Sequence, residues 1–320
     1  MINIYGAGIS GSYLGCLLEK FGYEYRISDK NSIYKSKCAY GFMYNETKSL
    51  LNIIGFNISK YLEVKIKYVN INGIKMKVNN LCILDKNKLV NDMRNELKFG
   101  KFDNPSFSVD STGTNRSIIK NNEDVSYSYT KQEKIKNSYG KEIFIYANKF
   151  GYSWYFPINN EYAHIGSGSY RKDKVDELLN GLKSTYDINY DIICKCKKKM
   201  ISTPFNKLRY IDYNKKIICV GESGGFVSIF GEGNTTGMRS SLLLYRSIRN
   251  SETFEEICNK YMKNVNKEFS WIIDGYNFFD SLRKSSTKSF YYIPRLFENN
   301  RCGLEANIGI IRSILKKIIW

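Results

Sequence analysis

The spacing of apolar and polar residues changes period several times along the chain, and each change marks an element. "INIYGAGISGSYLGCLLEKFGYEYRISDK" reads as strand, glycine-rich turn, helix and strand. "EVKIKYVNINGIKMKV" alternates on both sides of Asn72-Gly73, a β-hairpin signal. "KNKLVNDMRNEL" spaces its apolar residues three and four apart and predicts a helix; a strand then runs into Thr112. Residues 124–205 alternate at period two, with polar turns, and predict an antiparallel sheet. The amphipathic helix "KVDELLNGLKSTY" is inserted in it. Residues 215–248 read as strand, loop and helix, and from 252 the pattern is helical and aromatic. Two domains therefore interleave in sequence.

The stretch "GYSWYFPINNEYAHIGSGSY" places Tyr152, Trp154 and Phe156 on one face of a strand that Pro157 ends. Such a face packs a core or walls an apolar cavity. Gly166 and Gly168 leave small surfaces on the partner strand, where a ligand can approach.

The glycines of the opening stretch add chemistry. Gly6, Gly8 and Gly11 form G-x-G-x-x-G between a β-run and a helix. The first permits a tight turn, the second lets backbone approach a pyrophosphate, and the third lets helix and strand pack closely. The helix N-terminus then offers free N–H groups to phosphate. Asp29 closes the second strand, where an acid suits ribose hydroxyls. A Rossmann-type nucleotide-binding domain is expected from 1–60, 80–123 and 206–250. The antiparallel-sheet substrate domain is expected from 61–79 and 124–205, and a helical C-terminal cap over 251–320.

The formal charge of +18 points to an anionic partner or to a lysine-rich composition whose lysines are merely solvated. No nucleic-acid recognition motif accompanies it, so nucleic acid is not expected as a partner. No apolar run approaches the roughly 20 residues that span a bilayer. Met1 leads directly into a strand, and eight cysteines lack framework spacing, so a cytoplasmic protein is expected. No metal site is expected, because Cys194 and Cys196 have no further ligands spaced to join them.

Two later stretches resemble the flavin motifs of the FAD-dependent monooxygenase-like superfamily, whose fold is para-hydroxybenzoate hydroxylase-like. "FSVDSTGTNRS" matches its D-x-T-G strand, and "IICVGESGGFVSIFGEGNTTGMRSSLLL" its acid-then-G-x-G stretch, with Glu222 in place of aspartate. "YSWYFP" is similar to the Y-x-W-x-F-P motif of geranylgeranyl reductases, and "AYGF" after Cys38 to their C-A-G-G segment. The resemblance implies non-covalent FAD, held by Gly6, Gly8, Ser10, Gly11, Asp29, Lys30, Thr112, Gly113, Gly221, Glu222, Gly231, Gly233 and Asn234. It implies an isoprenoid lipid against Tyr40, Gly41, Tyr152, Trp154, Phe156, Pro157, Gly166 and Gly168, and a ferredoxin or NADPH as electron donor. Cys38, Tyr152 and Trp154 are the candidates for catalysis.

The expected reaction is saturation of isolated C=C bonds, with a proton and a hydride equivalent added to one bond. Neither the carboxylates nor His164, the one histidine, is an obvious acid; His164 reads as structural. An FAD monooxygenase or oxidase of the same fold and a non-catalytic or electron-transfer flavoprotein are the alternatives. In "GLEANIGIIRSILKKIIW", Leu304, Ile308, Ile311, Leu315 and Ile319 share one helical face, with Arg312, Lys316 and Lys317 elsewhere. That helix either packs on the protein or lies on an anionic membrane.

Overall fold

The structure is a computed structural model. It describes residues 1–36, 40–119, 125–136, 139–284, 292, 301, 303–305 and 308–319. The chain opens with β1 (Ile2–Tyr5), α1 (Ile9–Lys20) and β2 (Tyr25–Ser28), as the glycine pattern requires. Then come β3 (Gly41–Met43), α2 (Tyr44–Ile53), β4 (Leu62–Ile71), β5 (Ile74–Leu84), α3 (Lys86–Asn95) and β6 (Phe107–Asp110). The middle of the chain forms β7 (Tyr127–Lys136), β8 (Ile143–Asn148), β9 (Gly151–Pro157), β10 (Tyr162–Ser169), α4 (Val175–Tyr186) and β11 (Asp191–Ile201). Next are β12 (Ile211–Asp212), β13 (Ile217–Cys219) and α5 (Asn234–Arg249). The chain ends with α6 (Phe254–Arg283), β14 (Leu304–Glu305) and α7 (Ile308–Ile319).

The strands make two sheets. One has the order β12-β13-β6-β1-β2, parallel through β13, β6, β1 and β2. The other runs β11-β7-β10-β9-β8-β4-β5-β14, with β3 added on β5. β5 stays in this second sheet as far as Leu84, and β3 joins it from the opening segment. The larger sheet therefore takes residues on the far side of the expected boundary at 80 and from within 1–60.

The main core joins the parallel sheet to Phe42, Cys82 and Leu84 of β3 and β5, and the larger sheet has further clusters of its own. Ile4, Leu14, Leu17, Ile27, Val109 and Ile218 pack the parallel sheet against α1 and its neighbours. Ile135, Tyr155 and Ile165 pack one face of the larger sheet against Leu179 and Leu182 of α4. Alternation along β9 sends Tyr155 to that covered face and Tyr152, Trp154 and Phe156 to the other.

His164 lies in this sheet, buried, with its ring 4.9 Å from that of Tyr40. Burial and, secondarily, the charge on Lys134 lower its pKa to about 4. The unfolded chain takes up a proton near pH 6.5, whereas the fold refuses it until about 4. The depressed value means stability present above pH 6.5 and lost as pH falls towards 4, by up to about 3 kcal/mol. Urea melts should show a smaller loss between pH 7 and 4.5 for His164→Gln than for the wild type. An identical loss in both would remove His164 from the account.

Candidate functional site

The uncovered face of the larger sheet and the C-terminal ends of β1 and β6 enclose one cavity of 2380 Å³. That is more than twice the roughly 300–1,000 Å³ of an ordinary small-molecule pocket. Three regions line it.

The first region is the glycine loop. Gly6 adopts φ +97°, and a Cβ there would sit 2.6 Å from the Ser111 carbonyl oxygen. A Cβ on Gly11 would be 2.0 Å from the Gly6 carbonyl oxygen, so this glycine brings α1 against the turn. A Cβ on Gly8 would meet nothing within 4 Å and would project into open space. Gly6, Gly8, Ser10, Asp29 and Lys30 line the cavity; Gly11 packs behind it. Asp29 is already engaged: Oδ2 accepts from Ala7 N at 2.8 Å and Oδ1 from Asn31 N at 2.8 Å.

Arg94 also lines this region, and the sequence reading did not select it. Buried on α3, it donates to the carbonyl oxygens of Ala7 at 3.1 Å and Ser32 at 3.1 Å, and its Nη1 lies 3.7 Å from Asp29. A signal was present: Val90 and Arg94 are four apart, so a charge falls on the apolar stripe of that helix.

The second region is built by the loops after β6 and β13. Buried Asp110 accepts from Thr112 N and Oγ1 and from the amides of Ile118 and Ile119, which fixes the loop carrying Thr112 and Gly113. Glu222 accepts from Thr114 Oγ1 at 2.7 Å and Ile201 N at 3.1 Å. Burial raises its carboxyl pKa, and the Thr114 hydroxyl and Ile201 amide partly offset this. Gly221 is not in the lining; an added Cβ would sit 2.2 Å from Ser10 Oγ, and its amide donates to Ser240 Oγ at 2.8 Å. Its expected cofactor contact is corrected to a packing role.

Gly231, Glu232, Gly233 and Asn234 complete this region at the N-terminus of α5. Asn234 Nδ2 donates to Gly41 O at 3.0 Å, and Met43 N donates to Thr235 Oγ1 at 3.1 Å, which clamps β3 to the helix. Glu232 Oε1 accepts from Thr235 N at 2.7 Å, so the side chain caps the helix. Its Oε2 is shut off from solvent. Burial raises the carboxyl pKa; the Thr235 amide works against this and the charge on Glu46 adds to it. Glu232 was absent from the expected site residues.

The third region is the sheet face. Tyr152, Trp154 and Phe156 all line the cavity, while Trp154 is also buried and Phe156 packs against a core cluster. Tyr152 donates to Phe230 O at 2.6 Å, and Trp154 Nε1 to Gln132 Oε1 at 3.3 Å. Gly166 does not line it: a Cβ there would be 2.6 Å from the Trp154 ring, so the indole fills the space expected for a ligand. Gly168 keeps a place in the lining, where an added Cβ would be 3.5 Å from the same ring. Tyr40 is also corrected. Its hydroxyl donates to Ser36 O at 2.7 Å and accepts from Asn87 Nδ2 at 2.8 Å, within a core cluster. Pro157 is buried at the strand end, outside the lining, while Gly41 lies in it beside Phe156. Cys38 lies outside the described residues.

From Phe156 the floor continues over Val69, Ile71, Met76, Val78, Ile143 and Ile145. Ile314, Leu315 and Ile318 of α7 line the same end. The helix is held there by Lys317 Nζ, which donates to Asn72 O at 2.7 Å. Leu304 belongs to a strand paired with Val78, not to the helix, so it leaves the expected helical face. The side chains of Ile308, Ile311, Arg312 and Ile319 fall outside the described residues. Among the described residues no group of three or more metal-ligating side chains gathers, and no helix is long and apolar enough to cross a membrane.

These residues fit a flavin adenine dinucleotide: open backbone at Gly8, the first amides of α1, and a long cavity leading to the N-terminus of α5. No protein-family model matches the chain. It is similar to an uncharacterized protein of Methanocaldococcus jannaschii, 25% identical over 326 residues, covering 84% of this chain and 88% of that one. Among solved structures it is similar to a geranylgeranyl bacteriochlorophyll reductase-like protein from Thermoplasma acidophilum. The TM-score is 0.73 at 14% identity, over 99% of this chain and 94% of that chain. It is also similar to a flavin-dependent brominase (TM-score 0.67, 12% identity, 99% and 92% covered). A probable FAD-dependent monooxygenase from Pseudomonas aeruginosa gives 0.62 at 12%, with 93% and 99% covered. The chain therefore has the Rossmann-type α/β fold of the monooxygenase-like flavoproteins, in keeping with the resemblance carried by its motifs.

Proposed function

We propose that this protein is an FAD-dependent oxidoreductase that saturates isolated C=C bonds in an isoprenoid, geranylgeranyl-type lipid chain. The observation that carries this reading is the aliphatic floor beyond Phe156, continuous with the glycine-loop end of the cavity. An isoprenoid offers nothing to hydrogen-bond along its length, so apolar surface is what can recognise it. FAD, when bound, supplies the reducing equivalent.

The chain's own residues do the rest. The open backbone at Gly8 and the N-terminus of α1 accept the pyrophosphate. Tyr152, Trp154 and Phe156 orient the lipid and exclude water. Glu232 lies in the lining between Gly231 and Gly233, and burial raises its carboxyl pKa. In this reading its carboxyl is the proton donor to one alkene carbon. Ferredoxin or NADPH is the electron donor in this reading.

A monooxygenase reading is favoured by a different part of the floor. Ser128, Thr130 and Gln132 line a polar zone near Trp154, suited to a compact aromatic substrate. Anaerobic mixing separates the two. Reduced, FAD-loaded protein should regain its yellow colour on adding a geranylgeranyl lipid, and stay reduced without it. Recovery that requires air, with no response to the lipid, would support the monooxygenase.

A further inference from the structure

The cavity has a rim that the proposed chemistry does not use. Phe150, Tyr170, Phe230 and Phe279 line it. Phe230 is 58% exposed and Tyr170 39%, and Phe230 meets Phe279 edge-on with centroids 5.8 Å apart. Exposed rings grouped in this way mark an interaction surface.

Cations surround them. Lys149, Arg171 and Lys174 lie 5.4, 5.5 and 4.9 Å from the Phe150 centroid, and Arg283 lies 4.6 Å from that of Tyr170. Lys207 acts on Asp280 alongside Arg283. The acids of the rim are already matched: Asp173 with Arg171, Glu177 with Lys174, and Asp280 with Lys284. Lys149, Lys207 and Arg283 form no salt bridge among the described residues.

We propose that this rim docks on an anionic bilayer, with its rings at the headgroup level and its cations facing lipid phosphates. Aromatic rings favour that depth, and basic residues are attracted to the negative surface. The position adds a second argument, because the rim is continuous with an apolar cavity whose contents would come from a membrane. The proposal places docking at the rim and not on the terminal helix, whose Ile314, Leu315 and Ile318 line the cavity.

Co-sedimentation of the full-length protein with vesicles tests this, without cofactor turnover. It should bind phosphatidylglycerol-containing vesicles at low salt and not pure phosphatidylcholine vesicles, and high salt should release it. Phe230→Ser and Arg283→Glu should each weaken binding on the order of tenfold. Replacing the Phe230 side chain leaves its carbonyl to accept from Tyr152, and near-UV circular dichroism checks that each variant is folded. Lys316→Glu, on the exposed side of α7, should leave binding unchanged. Loss of binding with Lys316→Glu alone would move docking to the tail and overturn the proposal. Absence of binding to anionic vesicles at low salt would also overturn it, and would leave the rim to an acidic protein partner.

Discussion

Gly8→Val should fold normally and purify colourless. In most glycine-rich loops a bulky substitution damages cofactor binding and folding together, and the result is hard to read. Here the two separate. Gly8 has an extended backbone at φ −78°, and a Cβ on it would meet no protein atom within 4 Å. The side chain projects into the space where the pyrophosphate would approach the backbone. Its neighbours behave differently: Gly6 and Gly11 would each drive a Cβ into backbone, so substituting them tests the fold. The expected loss for Gly8→Val is at least about a hundredfold in FAD affinity, with a thermal midpoint close to that of the wild-type apoprotein. Fluorescence titration with FAD and circular dichroism read the two quantities. Wild-type affinity in the variant would place the cofactor elsewhere.

Glu232→Gln should lower the rate of lipid reduction by roughly a hundredfold or more while FAD remains bound. Glutamine keeps an oxygen to accept from Thr235 N, so the cap on α5 survives. What disappears is the titratable carboxyl. The pH profile gives an independent readout. Burial raises this carboxyl's pKa, so its acid form persists to higher pH than in water. Wild-type turnover should therefore fall as pH rises through the raised value, and the variant should lose that limb. The stability linkage has the same direction. A carboxyl whose folded pKa is raised contributes stability that is complete below its unfolded value and lost as pH rises through the folded value. The variant should be less sensitive over that window. A glutamine variant with full turnover and an unchanged profile would make Glu232 a cap and nothing more.

The first strand–helix–strand unit was legible because its chemistry is local: three glycines, a short β-run and an acid lie within one stretch of chain. The cavity-facing side of β9 was legible from alternation, but what opposed it was not. Gly166 looked like room for a ligand, whereas the room is taken by Trp154 on the neighbouring strand. Strand register decides that, and period-two spacing cannot supply it. Tyr40 failed for a related reason, since its hydroxyl is held by Asn87, forty-seven positions away. Arg94 carried a sequence signal, a charge on the apolar stripe of its helix, but its partners Ala7 and Asp29 lie far along the chain. In the tail, helical periodicity extended too far: backbone pairing with Val78 draws Leu304 into the sheet.

The central claim is that the cavity holds an isoprenoid beside a reducing cofactor. Mass spectrometry of a geranylgeranyl lipid incubated with the FAD-loaded protein and a chemical reductant tests it most directly. The account predicts a product that has gained two hydrogens for each bond saturated, with no oxygen incorporated. A lipid recovered unchanged from active, reduced holoprotein, or one that has gained oxygen, would contradict it.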